Sequence, residues 1–332
     1  MPSAISELYE PLIARDLAAV PAAVSHFRET GSSDDLFRAI ARFTVLAFAP
    51  TEHGRSAMAS ILAIRELRDS LGNRFDDWLT EAAIYTSQSR LPWSEPPISD
   101  PPPVTDRRDT TADGIRDAIA SRDRHRAERW LAGRINDADF AKDFFLVASE
   151  NPGTDGSGIV LAVTAWKLAA EFGERERYPI LRTAVWQWSS EGRSTKPTEG
   201  RTTRDPALVD RLRGRIVAAR GEPESFRRLA LLDAVQEVTE LTGDGEVEER
   251  ISFALEHSED VKPESSGSEA GPQPPLPFRP YRLGRDYGER VIGAALAKRL
   301  SLRFPAIEVD LLAAALAWNL ENGTSFEDWS FA

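Results

Sequence analysis

The chain carries a faint copy of itself, and that constrains its fold more than any motif does. Residues 35–90 lie on residues 136–191 without a gap, at a shift of about 101 positions. Phe43 falls on Phe144, Ala47 on Ala148, Leu67 on Leu168, Gly72 on Gly173, Ala83 on Ala184 and Tyr85 on Trp186. Few identities survive, so the hydrophobic phase carries the match. Both copies read as helix, glycine stop, helix. A weaker third copy places residues 312–323 over 181–192, within a last hairpin spanning about 285–323. The expected fold is therefore all-α, built of stacked antiparallel helical hairpins. No run alternates with period two in the manner of a strand.

The boundaries follow from punctuation. A first helical unit is expected over 1–90. Pro11 and Pro21 restart its short first helices, and Ser33-Asp34-Asp35 caps a helix reaching about Ala49. Residues 91–110 form a proline-rich connector, or a strap held by Trp93 and Ile98. A second unit covers 111–204 and opens with one charged helix over about 111–131. A third unit covers 205–332. Its segment 262–280 has the Pro, Ser, Gly and Glu content of a disordered loop.

Composition excludes several chemistries. There is no cysteine, hence no disulfide, thiolate metal site or cysteine nucleophile. The formal net charge of -12 argues against a nucleic-acid partner. No apolar run reaches the roughly 20 residues a membrane helix needs, and the first residues lack the pattern of a signal peptide. A cytoplasmic protein is expected.

The histidines are His26, His53, His125 and His257, and none belongs to a Glu-x-x-His or His-Glu-x-x-His motif. No metal and no cofactor is expected. Asp76-Asp77, followed by Glu81, resembles the magnesium-binding segment of class I terpene synthases. The second motif of that family is missing. Acids at a helix start are also what the helix dipole favours.

One constellation emerges from the internal match. The loop Asn151–Gly158 corresponds to the loop Thr51–Arg55. Each opens the second helix of its unit, at what should be the same end of the bundle. Glu52, His53, Arg55, Asp155 and Ser157 would then share a rim. Glu52-His53 would be an acid–base pair if buried together. Trp186 and Trp188 stand two apart on one helix, so one must face away from the main core, and Trp186 joins the candidate ligand-binding set. Two functions remain open. One is a helical-repeat interaction or scaffold protein with a protein partner. The other is an enzyme or small-molecule binder with an apolar, aromatic-lined pocket between hairpins.

Overall fold

The computed structural model describes residues 4–89, 100–153, 156–192 and 223–242. All regular structure among them is helical, with no strand. The third unit is represented by one helix. The third copy near 285–323, the 262–280 loop, Trp93 and Ile98 lie outside the described residues.

Helices α1 (Ala4–Ala14) and α2 (Val20–Thr30) form a hairpin. Then come α3 (Ser33–Leu46), α4 (Glu52–Glu66), the one-turn α5 (Arg68–Leu71) and α6 (Phe75–Ser89). The second half has hairpin α7 (Ala112–Ala120) and α8 (Arg124–Arg134), then α9 (Phe140–Glu150), α10 (Ser157–Phe172) and α11 (Glu174–Glu191), with no counterpart of α5. Helix α12 (Pro223–Thr242) packs on α9 and α10 through Leu231, Ala234, Val235 and Val238.

The local sequence explains these bounds. Ser32 caps α3 by accepting from the Asp35 amide, and Asp35 reaches back to the Ser32 amide. That is a reciprocal capping box, satisfying donors a helix start leaves free. Thr51 and Thr111 cap α4 and α7 by accepting from Gly54 and Gly114, three residues on. Both glycines are required by space. A Cβ on Gly54 would sit 2.1 Å from the Ala49 carbonyl oxygen, and one on Gly114 would sit 2.0 Å from that of Arg108.

Three expectations need correcting. Pro11 lies inside α1, in its third turn, rather than restarting the helix, so the amide it lacks would have met the Glu7 carbonyl. The single helix expected over 111–131 is two, parted at Arg122, whose φ of 57° is left-handed. Asp123 then caps α8 by accepting from the Arg126 amide at 3.0 Å. The stop expected at Leu71 is a short break: α4 ends at Glu66 and α5 follows before Gly72.

The turn at Arg122 has a twin. Arg15, between α1 and α2, has φ 59°. Asp16 donates its amide to the Pro11 carbonyl at 2.9 Å, and Asp123 donates to the Ala118 carbonyl at 2.8 Å. Each aspartate then accepts from the amide three residues on. An Arg-Asp pair thus closes both hairpins with the same hydrogen bonds.

The halves are joined by α4 and α10, which run parallel. Arg65 near the end of α4 bonds Glu171 on α10 at 2.7 Å, and Lys167 on α10 bonds Glu66 at 3.2 Å. Arg65 also reaches Asp34 at the start of α3 at 2.7 Å. In the second half Phe140, Phe144, Phe145, Trp166 and Trp188 form one aromatic core. Trp188 lies 5.1 Å from Phe144 and is fully buried. Such offset and tilted contacts add to the area the rings bury.

Candidate functional site

Because α4 and α10 are parallel, the loops that open them sit at the same end of the bundle. Arg55, in the first turn of α4, faces Glu191 at the end of α11, with Nη1 3.9 Å from Oε1. Gly153 belongs to the loop before α10. A Cβ there would lie 3.0 Å from Ser157 Oγ and 3.5 Å from Glu191 Oε2. Arg55 and the Gly153–Ser157 loop therefore both approach Glu191.

The other predicted residues go elsewhere. His53 turns toward α6: its ring stacks on Tyr85 at 4.1 Å, and Nε2 contacts the Tyr85 carbonyl at 3.0 Å. A carbonyl only accepts, so Nε2 carries a proton. Glu52 opens α4, and Asp155 lies outside the described residues.

Trp186 divides from Trp188 as its spacing requires. It leaves the aromatic core and meets Phe48 edge-on at 6.1 Å. The Arg124 and Arg182 guanidiniums stand 4.6 and 4.9 Å from its ring centre. Both arginines also bind Glu128, whose side chain is 2% exposed: Arg182 at 2.8 Å and Arg124 at 3.5 Å. The result is a ladder between antiparallel helices, with Arg124 and Glu128 on α8 against Tyr178, Arg182 and Trp186 on α11. Burial drives the Tyr178 phenol well above its ordinary range, and the Glu128 carboxylate adds to this.

Other buried charges also hold helices to one another. Asp109 accepts from Arg126 at 2.7 Å and from Arg129 at 2.6 Å. Glu150, 3% exposed, takes a two-pronged contact from Arg116 at 2.8 and 2.7 Å.

Asp76 and Asp77 stand in the first turn of α6, as the dipole argument expects. With Glu81 they line an open groove against α2, where Asp76 is paired with Arg28 at 2.7 Å. Burial raises the Glu81 carboxyl, and the neighbouring Asp77 charge raises it further. No group of metal-ligand side chains exists among the described residues. An apolar cleft between α3, α10 and α11 has a volume of only about 10 Å³, room for one water.

Two buried polar side chains lie on the elements that approach Glu191. Gln187 and Asn151 are 1% and 3% exposed. Gln187 donates to Glu191 at 2.5 Å, and Asn151 donates to the Val147 carbonyl at 2.8 Å. The only local signal was the four-residue spacing of Gln187 and Glu191 on one helix face.

Comparison of the chain with protein-family models, curated proteins and solved structures finds no match. No described helix is long and apolar enough to cross a membrane.

Proposed function

We propose that the chain is a cytoplasmic interaction protein, assembled from a duplicated five-helix unit and presenting the joined units to a protein partner. The observation that carries this reading is the twin Arg-Asp turn. Arg15-Asp16 and Arg122-Asp123 share a left-handed arginine, an amide bonded five residues back and a carboxylate that accepts from the amide three residues on. Each is followed by four longer helices, with the one-turn α5 added in the first half. The match between residues 35–90 and 136–191 adds sequence to geometry. Stacked units of this kind bury their apolar edges against one another and offer extended outer surfaces.

The use made of charge supports the same reading. Asp109, Glu128 and Glu150 bind arginines from neighbouring helices, so these buried ions hold the helices of the second half to one another. Arg65 and Lys167 do the same across the junction of the halves.

Crosslinking and native mass spectrometry on the protein taken from its source test the proposal. The expected result is a protein partner in fixed stoichiometry, with crosslinks to both halves. Protein that runs alone, or whose crosslinks reach one half only, overturns it.

A further inference from the structure

We draw no further inference here: the strongest candidate, the open groove between α2 and α6 lined by Arg28, Asp76, Asp77 and Glu81, is an acidic cluster at a helix start whose Asp76 is already paired with Arg28, and nothing in the structure shows what covers it.

Discussion

Gly54→Ala sets two physical effects against each other, and the structure decides between them. Alanine is the better helix former by about 1 kcal/mol, so propensity alone forecasts a gain. Gly54, however, occupies the first turn of α4, where the preceding chain folds back over it. The new methyl would lie 2.1 Å from the Ala49 carbonyl oxygen and 3.2 Å from its carbon. Contact of carbon with oxygen needs more than an ångström beyond that. The obstacle is backbone, and it is tethered. Ala49 accepts from the Thr51 amide at 2.7 Å, and Phe48 beside it is buried against Trp186. Overpacking of this kind costs about 1–3 kcal/mol. Displacing Thr51 from its bond to residue 54 adds about 1 kcal/mol of lost cap. After the propensity gain, a net loss of about 2 kcal/mol remains, or about 4–8 °C in Tm for a domain of this size. Gly133→Ala is the control. Its methyl meets the Thr110 side chain at 2.4 Å, and a side chain can rotate away where a carbonyl cannot. Urea unfolding followed by circular dichroism should rank Gly54→Ala well below Gly133→Ala. A Gly54→Ala protein as stable as wild type would refute the steric reasoning.

Glu128→Ala strands two arginines that share one buried carboxylate. It should cost about 3 kcal/mol, at the low end for a broken buried pair because both guanidiniums keep the Trp186 ring. A loss below about 1 kcal/mol in urea unfolding would show that the ladder contributes little. Tyr9, which donates to the Ala39 carbonyl at 2.8 Å, has its phenol pushed up to about 12 by burial. Its contribution to stability is therefore complete below the ordinary tyrosine value of about 10 and lost as pH rises through the folded value. Absorbance titration should show a late phase near pH 12 that Tyr9→Phe removes. Burial alone would raise the Asp109 carboxyl, but hydrogen bonds from Arg129 and Arg126 outweigh that and hold it below the usual range. Its stabilisation is present above the unfolded value of about 4 and disappears as pH falls through the lower folded value. The acid limb of the unfolding midpoint should flatten in Asp109→Asn, and an unchanged limb would count against this assignment.

The sequence showed the helices wherever a local rule has one outcome. Ser32 and Asp35 cap each other whatever surrounds them, and the start of α3 was legible to within a residue or two. The break at Arg122 was hidden, since an arginine with positive φ has no compositional mark and its neighbours keep helical spacing. What holds it open is the Asp123 cap with the hydrogen bond back to Ala118. The same dipeptide stands at Arg15, but at a spacing of 107 residues and not the 101 of the internal match, so that match does not align the two turns. Pro11 misled for the opposite reason: it lies inside α1, and Leu8 and Leu12 on either side of it are fully buried. The rim was legible only in part. Arg55 and the Gly153–Ser157 loop both approach Glu191 because α4 and α10 are parallel, a relation the internal match implied. His53 was misplaced because successive residues at a helix start diverge by about 100°, and Tyr85 offered its ring and carbonyl on the other side. Gln187 is polar yet 1% exposed, because α10 and α8 pack against α11, and that burial belongs to the assembled bundle and leaves no mark in the pattern of α11 itself.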